Sequence, residues 1–457
     1  MKRAWCVMMA GAALAWSATT PAEFHSRAAG ASGDPAVSQW WSTFQDRELD
    51  SLIERAVRAN LDLKIAAARL MEARGSRGVA RSALLPSVEV SDSPQRVRGG
   101  LAQGFSKTYE TNILQQGFDA SWELDLFGGK RHGLAAATAD VVATEEARRG
   151  TLVSLLAEVA LHYGELRGTQ RRLGIAAENI RVQADSLGLA KVRAEAGLGT
   201  ELDVARQTSQ LAATQAMVPA LEAAREAGIH RLSVLLGEEP GALLGELSEA
   251  RALPATPPVV PVGLTSELLK RRPDVRRADA EVTAASERVG VAKSDLFPKI
   301  VLTGSAGRQG TSFSGLTLGA GNFFAAGPAI KLPIFTGGRL KANWETQRQR
   351  LVQSQLEYQS VVLRSFEETE NALTAWGREQ ERRERLQSAA RASREATGMA
   401  TELYTRGLAD FLSVLDAQRE QLRIEDDLAV SDTAVVTDLV ALYKALGGGW
   451  EDNTGRR

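Results

Sequence analysis

Only one cysteine, Cys6, occurs in 457 residues, so a disulfide framework is excluded as the source of stability. The histidines, His25, His132, His162 and His230, are scattered without ligand spacing, and no metal site is expected. Beyond the N-terminal segment no apolar run reaches the ~20 residues that a membrane-spanning helix needs. Neither charge sign dominates: 55 basic residues face 56 acidic ones without a long block of either, which argues against nucleic acid as a partner. A G-x-S-x-G nucleophile elbow is missing, and "GGKR" (128–131) lacks the spaced glycines and the Ser or Thr of a phosphate loop. The chain is therefore not expected to be an enzyme or to hold a cofactor.

What is present begins with "MKRAWCVMMAGAALAWSATTPA". Basic residues, an apolar core and small residues follow one another there, so residues 1–22 read as a secretory signal peptide and export is expected. Cys6 falls inside that segment.

The rest of the chain is written twice. "GVARSALLPSV" from Gly78 returns as "GVAKSDLFPKI" from Gly290, pairing Pro86 with Pro298 and Val88 with Ile300. "LDLFGGKR" (124–131) answers "LPIFTGGR" (332–339), and "GLGTELDV" (197–204) answers "GLADFLSV" (407–414). The expected organisation is a first repeat at 23–252, a proline-rich connector at 253–263 that cannot be helical, and a second repeat at 264–457. Each repeat reads helix, strand, strand, long helix, turn, returning helix. The first helix is expected from about Leu49 to Leu84.

Alternation marks the strands. Phe118, Ala120, Trp122, Leu124 and Leu126 share one face of a segment whose other face carries Asp119, Ser121, Glu123 and Asp125. Its counterpart, Ile330, Leu332 and Ile334, is interrupted by Pro328 and Pro333, and the stretch 307–322 between strands is expected to be loop. Leu152, Val159, Leu166, Leu173, Ile180 and Leu187 recur every seventh residue in a proline-free stretch, the seam of a coiled coil about 100 Å long. Val204, Leu211, Val218 and Leu232 continue it on a returning helix that Pro219 should kink; Leu415, Leu422, Ala429, Val436 and Tyr443 repeat it in the second half.

Apolar and aromatic side chains opposite carboxylates suit a barrel wall between lipid and water. Four strands cannot close a barrel, and open edges in hydrocarbon are prohibitively costly, so several chains must share one. Phe105, Tyr109, Phe127, Phe323, Phe324 and Phe335 near the strand ends suit an interfacial girdle.

"WWSTFQDRELDSLI" (40–53), "RRPDVRRADAEVTAA" (271–285), "PIFTGGRL", "LYTRGLADFLSVLDAQR" (403–419) and "LYKALGGGW" (442–450) resemble the outer-membrane factor family of TolC and OprM. The resemblance implies a mainly α fold with a membrane β-barrel: a homotrimer with a twelve-strand barrel in the outer membrane of a Gram-negative bacterium and an α-helical barrel in the periplasm. It further implies the passive exit duct of a tripartite efflux pump, joined to a periplasmic membrane-fusion adaptor and an inner-membrane pump of the resistance-nodulation-division type. A type I protein-secretion duct is the alternative. By the same resemblance, Gly197, Leu198, Gly199 and Thr200 with Gly407, Leu408 and Ala409 form the adaptor-docking tip, and Asp203, Tyr404, Leu412 and Asp416 the periplasmic gate. Ser413 stands where the family has a second aspartate. Asp119, Glu123 and Asp125 are expected to face the barrel lumen. Relatives of the OprM branch carry a lipid on a cysteine after the signal; none follows here, so the barrel is expected to be the anchor in the outer-membrane lipid.

Overall fold

A computed structural model describes residues 38–99, 109–257, 260, 271–312 and 321–450. Residues 1–37 (the expected signal peptide among them), Phe105, the side chain of Tyr109 and most of 258–263 lie outside the described residues. Two compact units emerge. One holds the described residues up to Ile65, Arg149–Val275 and those from Val362 on; the other holds Ala66–Arg148 and Arg276–Val361.

The first unit opens on a 3-10 turn, Trp40–Phe44, and α1, Arg47–Ala59. The Asp46 carboxylate caps α1, accepting from the backbone N–H of Glu48 at 2.9 Å and of Leu49 at 3.2 Å. The single helix expected from Leu49 to Leu84 is in fact two, because α2 (Leu61–Ser82) starts afresh after Asn60. The amide of Asn60 accepts from Leu63 N at 3.0 Å and donates to Leu235 O at 2.9 Å. An asparagine side chain that competes for backbone groups ends one helix and caps the next.

The long helices are α3, Gly129–Glu195, and α4 and α5, Glu201–Gln215 and Val218–Leu235. A short α6, Leu244–Leu247, and α7, Pro273–Ser294, lead into the second half, which ends in α8, Arg339–Thr405, and α9, Phe411–Ala445. The gap between α4 and α5 is the break that Pro219, second residue of α5, calls for. On α9 the expected seam is buried throughout, from Leu415 to Tyr443. On α3 Leu152, Val159 and Leu166 are buried, but Leu173, Ile180 and Leu187 are only half-buried. The buried line there passes to Ala176, Asn179, Gln183 and Ala190. A straight helix drifts about 20° per heptad against a strict seven-residue repeat, and small or amide side chains take over where the drift has accumulated.

"WWSTF" and "LYKALGGGW" meet in the main core. Trp40 stacks on Tyr443 at 5.1 Å, with Phe44, Ile53, Leu156, Leu232 and Leu439 around them. Gly449 passes this cluster at φ +105, where an added Cβ would lie 2.6 Å from Leu156 Cδ1. Gly449→Ala is expected to cost about 2–4 kcal/mol through backbone strain and overpacking; an unchanged thermal unfolding midpoint in detergent would contradict this.

The second unit carries a four-stranded antiparallel sheet in the order β1 (Ser87–Gly99), β2 (Tyr109–Leu124), β3 (Lys299–Gly310) and β4 (Gly321–Lys331). Pro86 and Pro298 immediately precede β1 and β3, so each repeated proline marks the passage from helix to strand. The strands differ from expectation at their ends. β2 stops at Leu124, leaving Asp125 and Leu126 beyond it, and β4 stops at Lys331, leaving Leu332 and Ile334 outside. Residues 307–310 and 321–322 of the expected loop belong to strands, and 313–320 lie outside the described residues. Pro94 and Pro328 sit in β1 and β4, the two edges, where a missing N–H is tolerated.

Candidate functional site: paired hairpin tips and a two-faced sheet

In the sheet, register decides which side chains share a face. Val90 lies opposite Phe118, Phe118 opposite Ala306, and Ala306 opposite Phe324; Trp122 lies opposite Leu302, and Ile300 opposite Ile330. Across these rows the face is apolar from edge to edge, with Phe324 87% and Ile330 70% exposed; farther along the strands it turns polar, Gln116 lying opposite Asp92 and Arg308, and Glu110 opposite Arg98. The other face pairs Glu89 with Asp119 and Asp119 with Ser305, and Ser121 with Thr303. Glu89, Asp119, Ser121 and Thr303 are also exposed. Ser91 donates to Asp119 at 2.5 Å, and Lys130 pairs with Glu123 at 3.2 Å. Asp125 is the exception among the expected lumen carboxylates. Lying past the strand end, it accepts from the backbone N–H of Lys130 at 3.0 Å and of Arg131 at 2.9 Å, so it caps α3 and leaves the strand's polar row.

Of the expected girdle, Phe127 stacks on Phe297 at 4.8 Å, whereas Phe324 and Phe335 are almost fully exposed and Phe323 is half-buried. Trp122 lies near the end of its strand and donates from Nε1 to Leu84 O at 3.0 Å.

The first unit contains both hairpin tips, and they are built alike. At the end of α3, Leu198 N donates to Arg193 O at 2.8 Å and Gly197 N to Ala194 O at 3.0 Å; at the end of α8, Leu408 N donates to Leu403 O at 2.9 Å and Gly407 N to Tyr404 O at 2.9 Å. These are paired Schellman terminations, and each requires the left-handed backbone that glycine supplies, φ +72 at Gly197 and +73 at Gly407. Leu198 and Leu408 project from the turns, 69% and 71% exposed. Gly199 and Ala409 are half-buried beside them and Thr200 is exposed.

The returning helices start with exchanged partners. Thr200 caps α4, and the Asp203 carboxylate accepts from Thr200 Oγ1 at 2.8 Å and Thr200 N at 3.2 Å. In the second tip the carboxylate comes first: Asp410 caps α9, accepting from Ser413 Oγ at 2.6 Å and Ser413 N at 3.1 Å. Ser413 is thus half of the same carboxylate–hydroxyl pair in reversed order. The Ser413 hydroxyl, then its N–H, hold the Asp410 carboxyl below its usual range. A folded pKa below the unfolded one means that this cap contributes at neutral pH and fades as pH falls through the folded value.

Tyr404 is buried with Ala190, Phe411, Val414 and Leu415, its ring edge-on to Phe411 at 5.2 Å. Arg193 lies over that ring at 4.7 Å and donates to Tyr404 O at 3.1 Å, tying the end of α3 to the end of α8. The Tyr404 hydroxyl is buried without a hydrogen-bond partner among the described residues, and burial raises its pKa against the opposing influence of Arg193. No hydrogen bond joins Asp203 to Tyr404 among the described residues; Asp203 bonds within its own capping box. Leu412 and Asp416, one turn apart on α9, are both exposed. Arg193 and Asp410 escaped the sequence reading; the swap of T-x-x-D (200–203) for D-x-x-S (410–413) was the signal for the second.

The two-faced antiparallel sheet and the paired helical hairpins find their counterparts in known outer-membrane channels. The chain belongs to the outer membrane efflux protein family, matching it over residues 52–238 and 264–448. The solved structure of the outer-membrane channel OprN is 36% identical, with a TM-score of 0.89 over 94% of this chain and 97% of that one. The pyoverdine export outer membrane protein OpmQ of Pseudomonas aeruginosa is 31% identical over 444 residues, 95% of this chain and 92% of its own length. The toluene efflux pump outer membrane protein TtgC of Pseudomonas putida is 30% identical over 432 residues, 93% of this chain and 88% of its own. The protein is accordingly an outer membrane efflux protein, located in the outer membrane.

Proposed function

We propose that three copies of this chain form the exit duct of a tripartite efflux pump, passing small molecules outward without doing chemistry on them. The sheet register carries this reading: from the Val90–Phe118 row to the Ile300–Ile330 row one face is apolar while the other carries Glu89, Asp119, Ser121 and Thr303, as a wall between lipid and a water-filled lumen demands. The unpaired edges β1 and β4 meet between copies, so that three times four strands close a twelve-strand barrel. The repeats at 23–252 and 264–457, joined at 253–263, allow three chains to approximate six-fold geometry. The helical hairpins continue the duct into the periplasm. A periplasmic adaptor docks on the tips around Gly197–Thr200 and Gly407–Ala409, with Leu198 and Leu408 as its apolar contacts, and an inner-membrane pump of the resistance-nodulation-division type supplies the energy. Asp203, Tyr404, Leu412 and Asp416 form the gate, and Asp119 and Glu123 line the lumen. The test of function is a deletion strain, expected to become sensitive to exported small molecules and to regain resistance with the gene restored; unchanged sensitivity would count against it.

The repeat also names a contact between copies. Phe127 and Phe297 stack within the chain; the matching positions, Phe335 and Leu85, are 90% and 62% exposed. Phe335 of one copy therefore packs on Leu85 of the next. Leu85→Cys with Phe335→Cys, treated with a short bis-maleimide, is expected to give covalent dimers and trimers that neither single variant gives. Monomers alone would reject this contact.

A further inference from the structure

Two apolar clusters bracket a polar layer in the coiled coil of the first unit. Near the turns lie Ala190, Tyr404, Phe411, Val414 and Leu415; farther from them Ala390 packs with Ile424 and Leu428. Between the clusters three glutamines replace the apolar seam: Gln183 on α3, Gln207 on α4 and Gln418 on α9, which are 1%, 0% and 3% exposed. The layer sits about 15 Å from the turns, judged from the helical rise.

Its hydrogen bonds are incomplete. Gln207 donates to Gln183 O at 2.9 Å, and Gln418 donates to Ser186 Oγ at 2.8 Å. The side-chain oxygen and nitrogen of Gln183 and the oxygen of Gln207 are buried with no hydrogen-bond partner among the described residues. A buried amide that has lost water and gained nothing disfavours the packing that encloses it. Helices that separate at this level return water to those atoms, while the apolar clusters on either side favour staying together. A polar residue at a seam position is a known means of giving up stability for a defined register.

We propose that Gln183, Gln207 and Gln418 position the gate by setting the balance between packed and splayed states of the α3–α4 and α8–α9 hairpins. The unpaired amides keep the packed, resting state from becoming a trap, so that a small push at the tips opens the duct. None of the three contacts the conducted molecule in this role; they act through the helices bearing Asp203, Leu412 and Asp416.

The inference rests on the channel reading above, and one experiment separates the two. Full-length oligomer is reconstituted in planar bilayers as wild type, Gln183→Leu, Gln183→Met and Gln183→Glu. Leucine and methionine remove the unpaired amide and fill its space, so the open fraction should fall on the order of tenfold while the oligomer's thermal midpoint rises. Glutamate demands water at the same place, and its open fraction should rise. A merely structural role would lower the midpoint in all three variants and give no opposed shifts in opening. If the glutamate variant fails to assemble, the leucine and methionine variants decide alone. Wild-type conductance with unchanged open fraction in those two overturns the inference; a wild type that never conducts overturns the channel reading instead.

Discussion

Arg167→Met is expected to destabilise the protein by about 3–5 kcal/mol, the usual consequence of removing one partner of a buried ion pair. Arg167 is fully buried, and its guanidinium pairs with Glu48, itself 7% exposed on the side chain. It also donates to Gln170 Oε1 at 2.6 Å and to Glu249 O at 2.8 Å, and lies over the Tyr163 ring at 4.9 Å. Tyr163 in turn donates to Asp46 at 2.7 Å and to Glu48 at 3.0 Å. One cation thus joins the first turn of α1, the middle of α3 and the segment following α6. Without it the only cation left beside the Glu48 carboxylate among the described residues is the partly exposed Arg251, at 3.3 Å. Arg167→Met with Glu48→Leu should recover most of the loss, because charge and partner leave together. Thermal unfolding of detergent-purified protein reads both; a single variant as stable as wild type, or a double variant no better than the single, would contradict the assignment.

Leu412→Ala combined with Asp416→Ala is expected to raise time-averaged conductance roughly tenfold, the effect of about 1.4 kcal/mol on a gating equilibrium, and to weaken cation preference. Both side chains are exposed on one face of α9 immediately after the tip. In a three-fold assembly they become an apolar ring and a carboxylate ring about one turn apart. The first closes a pore by excluding water; the second favours cations, because crowded carboxylates repel one another and hold counter-charge. Conductance and selectivity unchanged from wild type in planar bilayers would remove both residues from the gate.

Much of this architecture was legible because periodicity is a physical requirement. Seven-residue spacing locates the α9 seam residue by residue, and alternation finds β2. The repeated proline finds both helix-to-strand passages. At Asn60 and Asp125 a side-chain hydrogen bond outweighs the pattern. Asn60 divides an apolar run by bonding across to Leu235, and Asp125, in phase with the strand's carboxylates, caps α3 instead. The glutamine layer was invisible because buried amides break a hydrophobic period without leaving another in its place. Arg193 was equally hidden: its contacts join α3 to α8 across 211 residues of chain, which no local spacing encodes.

The sharing of one barrel among copies, proposed above, fixes the number of chains in the native particle. Native mass spectrometry of protein extracted from outer membranes in mild detergent tests that most directly. A species of three copies is expected, lost when the β1 and β4 edges are disrupted by added prolines. A monodisperse single copy would contradict it.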